Sequence, residues 1–127
     1  MPRKCKFGIF VGDSCLRNES FRKIVYMLGF ERIPLRTARL YRDLICKHYR
    51  LERIPLQYHS KLDGKLNGFY DYLNGEIVLN YWGETAKTCL HELSHYVTHI
   101  KDGSLKHDKY FANRYQEVIN LYKKSLT

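Results

Sequence analysis

Residues 85–100, TAKTCLHELSHYVTHI, decide how the rest of this sequence is interpreted. Apolar side chains recur there at helical spacing and form one stripe: Ala86, Cys89, Leu90, Leu93, Val97 and Ile100. At 100° per residue, His91 and His95 fall on roughly the opposite side of the helix, with Glu92 slightly to one side of them. The pattern predicts a helix that packs on the core with one face and borders a cleft with the other.

The five residues His91-Glu92-Leu93-Ser94-His95 form an HExxH sequence. On a helix, side chains four residues apart lie on one face about one turn apart, where two imidazoles can bind one metal ion. The glutamate after the first histidine can accept a proton from water on that ion. Because imidazole ligands in this motif favour zinc, the spacing predicts a Zn²⁺ site with Glu92 as general acid/base.

A catalytic zinc site needs a third protein ligand and keeps its fourth position for water. The sixth position after His95 is Lys101, which excludes the longer metzincin motif. His99 continues the four-residue series, but it lies about two turns from His91, too far to share the metal. The third ligand must therefore come from another part of the chain.

Two residues remain as candidates for the third ligand, His107 and Glu117. We favour His107 because a connection containing Gly103 can reverse the chain before it. Glu117 is expected to be a solvated or salt-bridged helix residue, and His59 an ordinary, partly buried histidine. The candidate donors for a developing oxyanion are Tyr96, Tyr110 and Tyr115.

Outside the metal helix, the sequence reads as helices, then strands, then a further helix. The predicted elements are helices at 18–28, from Pro34 to before Pro55 and at about 108–123, a short strand at 56–59, and a hairpin of 66–73 with 76–82. This order predicts an α+β fold: N-terminal helices, a small antiparallel or mixed sheet, the active-site helix and a C-terminal helix. No internal linker is visible, and residues 1–127 are predicted to form a single domain.

The hairpin is predicted from Asn74-Gly75, which suits a type I′ turn because both central residues need positive φ. In the second strand, Ile77, Leu79 and Tyr81 alternate with polar or smaller residues, which predicts one buried face. We expect this strand, residues 76–81, to be an edge that can bind an extended substrate by strand addition.

Charge is concentrated in the first half of the chain. The net charge is +9, with 13 Lys/Arg against 5 Asp/Glu (+8) in residues 1–60, and 9 against 8 (+1) in residues 61–127. The second predicted helix carries a basic outer sector: Arg36, Arg39, Arg42, Lys47 and Arg50. Such a surface predicts contact with an acidic partner such as nucleic acid.

Other function classes are disfavoured by composition. No apolar run approaches the roughly 20 residues of a membrane span, and the apolar stretch 7–11 is too short for a secretory signal. A cytoplasmic location is therefore expected. The four cysteines form no CxxC pair, so that a zinc ribbon is not available from cysteine alone. Buried free thiols are expected, with a bridge between Cys5 and Cys15 as the alternative.

Residues 91–98 and the segment His107-Asp108-Lys109-Tyr110-Phe111 resemble the active-site region of SprT-like and related small zincin metallopeptidases. Those proteins carry HExxH and then a short His-Gly-x-x-Phe-like segment that opens the next helix. Asp108 replaces the commoner glycine. The resemblance covers residues 76–122.

The resemblance implies a zincin-like minimal metallopeptidase domain that acts on a protein or peptide substrate. It implies Zn²⁺ bound by His91, His95 and His107, with Glu92 as the catalytic acid/base. Small zincins with a distal glutamate ligand, including the IrrE-like regulators, are alternative relatives, and they would make Glu117 the third ligand. Two other functions stay open: a basic nucleic-acid-associated protein with a structural zinc, and a catalytically inactive zincin scaffold.

Overall fold

The structure is a computed structural model, and it describes residues 16, 18–59, 67–80 and 85–126. Its helices are α1 (Glu19–Leu28), α2 (Leu35–Tyr49), α3 (Ala86–Asp102) and α4 (Lys109–Ser125), and its strands are β1 (Leu56–His59), β2 (Gly68–Asp71) and β3 (Glu76–Asn80). The predicted α+β class, with helices at both ends of a small sheet, is confirmed.

Helices α1, α3 and α4 begin where the sequence supplies a side chain for the free N–H groups of the first turn, whereas α2 begins after Pro34 without a side-chain cap. Asn18 accepts a hydrogen bond from the N–H of Ser20, Thr85 from Thr88, and Asp108 from Phe111. Helix α3 ends at Gly103, whose φ of 73° lies in the left-handed region that glycine adopts at little cost. These local signals explain why the predicted helix boundaries lie close to the observed ones.

The sheet is mixed, with the strand order β1-β3-β2. Strand β3 pairs parallel with β1, where Leu56 is opposite Ile77, and antiparallel with β2, where Phe69 is opposite Val78. The prediction that residues 76–81 form an edge strand is therefore wrong, because β3 is flanked on both sides. The prediction of one buried face is also wrong, since Val78 and Asn80 are buried as well as Ile77.

The turn between β2 and β3 differs from the predicted type I′ turn. Asn74 does not have positive φ, and Gly75 alone in this turn does, at 66°. The Asp71 carboxylate accepts hydrogen bonds from the N–H groups of Leu73 and Asn74 and from the Asn74 side chain. This side chain holds residues 72–75 in a four-residue loop, in which the N–H of Gly75 also donates to the Asp71 carbonyl.

Helix α3 occupies the centre of the fold, where it packs against the other three helices and against β2 and β3. Every residue from Ala86 to Thr98 is buried. The expected division into a core face and a cleft face is therefore wrong, because the histidine side of the helix is covered as well. The same elements contribute to one apolar core, which includes Val25, Ile45, Leu56, Ile77, Leu93 and Phe111.

Among the described residues, no helix is both long and apolar enough to cross a membrane. Cys46 and Cys89 are buried free thiols, as predicted. Burial and the nearby Glu92 raise the pKa of the Cys89 thiol, which keeps it protonated and unreactive. Cys5, Cys15, the apolar stretch 7–11, and the hairpin positions 66, 81 and 82 lie outside the described residues.

Candidate metal centre

Three histidines converge beside the middle of α3. The helix supplies His91 and His95, and the connection before α4 supplies His107. The Nε2 atom of His107 lies 3.1 Å from Nε2 of His95 and 3.2 Å from Nε2 of His91. The ligand atoms of the three residues all lie within 4.8 Å of one another. The sequence predicted this set, and the structure brings it together.

The spacing of these nitrogens fits a single tetrahedral ion. Two imidazole nitrogens bound to one zinc at about 2.0–2.1 Å lie roughly 3.3–3.4 Å from each other, close to the observed separations. Burial, together with the neighbouring His95 and His107 and the more distant Lys87, holds the pKa of His91 well below its usual value. His91 is therefore neutral at physiological pH, which is the form that binds a metal.

The connection between α3 and α4 is held by side-chain hydrogen bonds on both sides of His107. The Ser104 hydroxyl donates to Asp108 at 2.6 Å and accepts from the N–H of Lys106 at 3.2 Å. Burial raises the pKa of the Asp108 carboxyl, but hydrogen bonds from Ser104 and from the N–H of Phe111 outweigh it and hold that pKa below its usual value. Asp108 is therefore ionised, and these hydrogen bonds fix its position directly after His107 in the chain.

A second contact ties the two helices together near this connection. The guanidinium of Arg114 on α4 binds both carboxylate oxygens of Asp102 at the end of α3, at 2.8 and 3.2 Å. A bidentate pair of this kind fixes distance and orientation together. Residues 103–113, which include His107, therefore form a loop whose two ends are joined by the pair of Arg114 and Asp102.

Phe111 forms an aromatic floor under the three histidines. Its ring is stacked on His95 at 4.3 Å between centroids and lies 5.0 Å from the rings of both His91 and His107. Tyr115, one turn further along α4, lies 5.4 Å from His91. The sequence analysis named Phe111 only as part of the segment that resembles small zincins, and it missed this packing role. Its position four residues after His107 was the signal that pointed to it.

Glu92 is buried with 2 % of its surface exposed, and it directly follows His91 on the same helix. A carboxylate at that depth is costly unless other groups stabilise its charge. A metal ion bound by the adjacent histidines is one such stabilising charge. The burial of Glu92 therefore fits a site that holds a cation.

The alternative third ligand lies in a different set of contacts. Glu117 accepts hydrogen bonds from the hydroxyl of Tyr49 at 2.6 Å and from Arg114 at 3.1 Å. It does not belong to the histidine cluster. Burial and the Glu117 carboxylate raise the pKa of Tyr49, which keeps this phenol a hydrogen-bond donor.

The tyrosines proposed as oxyanion donors lie in three different environments. Tyr96 donates its hydroxyl to the carbonyl of Glu52 at 2.8 Å, whereas Tyr110 is 46 % exposed with Lys109 over its ring. Tyr115 is the one whose ring contacts a histidine of the cluster.

Two of the three histidines outside the cluster, His99 and His59, lie in different environments. His99 pairs with the Tyr70 hydroxyl at 2.7 Å, in agreement with its exclusion from the metal. His59 is exposed at the end of β1, and the expectation that it is partly buried is wrong.

The five basic residues predicted on α2 fall into two groups. Arg36, Lys47 and Arg50 are exposed. Arg39, which is also exposed, and the half-buried Arg42 donate to the backbone carbonyls of Leu56 and Ile54, each at 3.2 Å. These two side chains fasten α2 to the segment that enters β1, in addition to any contact with a partner.

Comparisons of this chain with family models, with curated proteins and with solved structures found no match.

Proposed function

We propose that this protein is a zinc-dependent metallopeptidase, with His91, His95 and His107 as the metal ligands. The single observation that carries the proposal is the convergence of three imidazole Nε2 atoms, two from one helix and one from the following connection. Zinc at a three-histidine site supplies Lewis acidity, since it lowers the pKa of the water it binds toward about 7 and polarises a carbonyl.

In this proposal Glu92 moves the protons of the reaction. It accepts a proton from the attacking water and then donates that proton to the leaving amine of the cleaved peptide bond. Its burial favours such a role because a carboxyl with little access to solvent exchanges its proton with the reacting groups and not with bulk water. The Phe111 ring packs against the three imidazole rings and helps to hold them in position.

Glu92 also discriminates this proposal from a structural zinc site. A structural site is usually closed by a fourth protein ligand and has no need for a buried glutamate beside its histidines. Among the described residues, the ligand cluster contains three side chains and no fourth. Three histidine ligands with no fourth among the described side chains favour catalysis over a structural role.

The experiment that tests the function compares the wild-type protein with Glu92→Gln. Both proteins are expected to bind one zinc ion, since Glu92 is not a ligand. Only the wild type should hydrolyse an unfolded protein substrate, and a chelator should abolish that activity. Equal hydrolysis by both proteins would exclude Glu92 as the acid/base, and an inactive but zinc-loaded wild type would favour the scaffold alternative.

The cytoplasmic location stays a prediction, which fractionation of cells that produce the protein would test.

A further inference from the structure

Two arginines of α2 line a small pocket beside the start of β1, remote in sequence from the histidine cluster. The cavity measures about 350 Å³ and is lined by Arg39, Arg42, Pro55, Leu56 and Gln57. Among the described residues that line it, two carry cationic side chains and none carries a carboxylate. A pocket with this composition favours an anionic ligand.

Both guanidinium groups are held in place by the backbone. The N–H of Ile77 on β3 donates to the Pro55 carbonyl at 2.8 Å. Because successive carbonyl groups of an extended chain point in opposite directions, the carbonyls of the two residues next to Pro55 point away from β3. Those are the carbonyls of Ile54 and Leu56, which accept from Arg42 and Arg39. The two side chains are thus fixed next to each other without a ligand.

Hydrogen-bond donors remain on both groups. A guanidinium carries five N–H donors, and Arg39 uses its Nε position for Leu56. Arg42 uses Nε for the Asp43 carboxylate and one terminal nitrogen for Ile54. The other terminal donors form a fork geometry that matches the oxygens of a phosphate group.

The charge around the pocket is positive. Residues 36–53 contain six Lys/Arg and two Asp/Glu. One of the two acids, Asp43, is bound by Arg42 at 3.0 Å and also lies 3.8 Å from Arg53. Its charge is therefore balanced by cations on two sides. Glu76 of β3 adds a further carboxylate, which accepts a hydrogen bond from the lining residue Gln57 at 2.9 Å, and the cations still outnumber the acids around the pocket.

We propose that this pocket binds a phosphate group, and that the phosphodiester backbone of nucleic acid supplies it. A polymer is favoured over a free anion because exposed cations continue along the same helix at Arg36, Lys47 and Arg50. A single phosphate needs only the pocket, whereas a strand with regularly spaced charges uses the neighbouring cations too. The site is independent of the proposed peptidase function.

The test measures fluorescence anisotropy of a labelled oligothymidylate on the full chain across a salt series. Arg39→Gln is expected to weaken binding at least about 3-fold and to lower the salt slope by about 0.7 for each interaction with a phosphate that it removes. Arg39→Lys keeps the positive charge but loses the paired N–H donors of the guanidinium. Its affinity is expected to lie between those of the wild type and Arg39→Gln. Lys101→Gln removes the same charge from an exposed residue at the end of α3, and it should change the affinity by less than about 2-fold.

Equal weakening by Lys101→Gln and Arg39→Gln would overturn the proposal, because it would show diffuse charge attraction. Absence of binding by the wild type at low salt would overturn it as well. The second part of the test is a competition with inorganic phosphate. If it displaces the oligonucleotide at an equal concentration of phosphate groups, the free anion is the ligand and the assignment to nucleic acid is wrong. Circular dichroism checks each variant, and Arg42→Gln, which changes the other arginine of the pocket, replaces Arg39→Gln if the latter does not fold.

Discussion

The Nε2 atoms of His95 and His107 lie 3.1 Å apart, although the two residues are separated by 12 positions in the chain. The pair His91 and His95 owes its proximity to the helix alone, whereas His107 depends on how the chain turns after Gly103. The third histidine is therefore the member of the cluster that the tertiary structure has to position.

Replacing His107 with Ala is expected to weaken zinc binding at least about 10- to 100-fold, since loss of even an outer-shell partner of a ligand has an effect of that size. Competition with a chromogenic chelator measures the change. Glu117→Gln is the matched control, because it alters the alternative ligand and should leave zinc affinity unchanged. If Glu117→Gln loses the metal while His107→Ala retains it, the distal-glutamate arrangement is correct.

Phe111→Ala is expected to destabilise the protein by about 3–5 kcal/mol, because it leaves a cavity beneath three imidazole rings. Tyr110→Ala changes the neighbouring aromatic residue, which is 46 % exposed, and should alter stability by about 0.5 kcal/mol or less. Urea denaturation in the presence of a chelator separates this packing effect from metal binding. Similar losses for the two variants would contradict the aromatic floor described above.

Asp108→Ala is expected to lower stability by about 1 kcal/mol at neutral pH, since it removes the N-cap of α4. Because the pKa of Asp108 lies below its usual value in the folded state, its ionised form stabilises the protein above about pH 4. That contribution is lost as the pH falls through the folded-state pKa. Acid titration of stability should therefore be shallower for Asp108→Ala than for the wild type.

The control for the charge of Asp108 is Asp108→Asn, which keeps an N-cap oxygen without the carboxylate. It should retain most of the stability at neutral pH and lack the acid-dependent part. If Asp108→Asn and the wild type titrate alike, another carboxyl is responsible.

Tyr70→Phe is expected to cost about 0.5–1.5 kcal/mol below pH 10 through loss of the hydrogen bond to His99. Burial, with smaller effects of Tyr96 and Asp71, raises the pKa of Tyr70 to about 12. A phenol with a raised folded-state pKa stabilises the protein below its unfolded value of about 10, and this stabilisation is lost as the pH rises toward 12. Difference absorbance of tyrosinate between wild type and Tyr70→Phe measures that ionisation.

The helices and the histidine set could be predicted because their signals are local. Thr85, Gly103 and Asp108 bound α3 and α4 through contacts within a few residues, and the HExxH spacing fixes two ligands on one helix face. His107 followed from the need for a third ligand and from a glycine that allows a reversal. None of these inferences needed knowledge of which elements pack together.

The errors involve contacts across long sequence distances or competition between local signals. The burial of α3 on all sides depends on how the other helices and the sheet surround it, which its own sequence does not specify. Strand β3 is central because β1, far earlier in the chain, pairs with it. At the hairpin, Asn74-Gly75 favours a type I′ turn, but the Asp71 carboxylate stabilises a different loop.

The pair between Arg114 and Asp102 has a kinetic consequence for loading the site. It joins the two ends of the segment that contains His107, and the entropy of closing that loop is therefore lost when the protein folds. An arriving ion then meets ligands that need little rearrangement. Zinc uptake by the folded protein is accordingly expected in one concentration-dependent phase, and Arg114→Ala should add a slower, concentration-independent step.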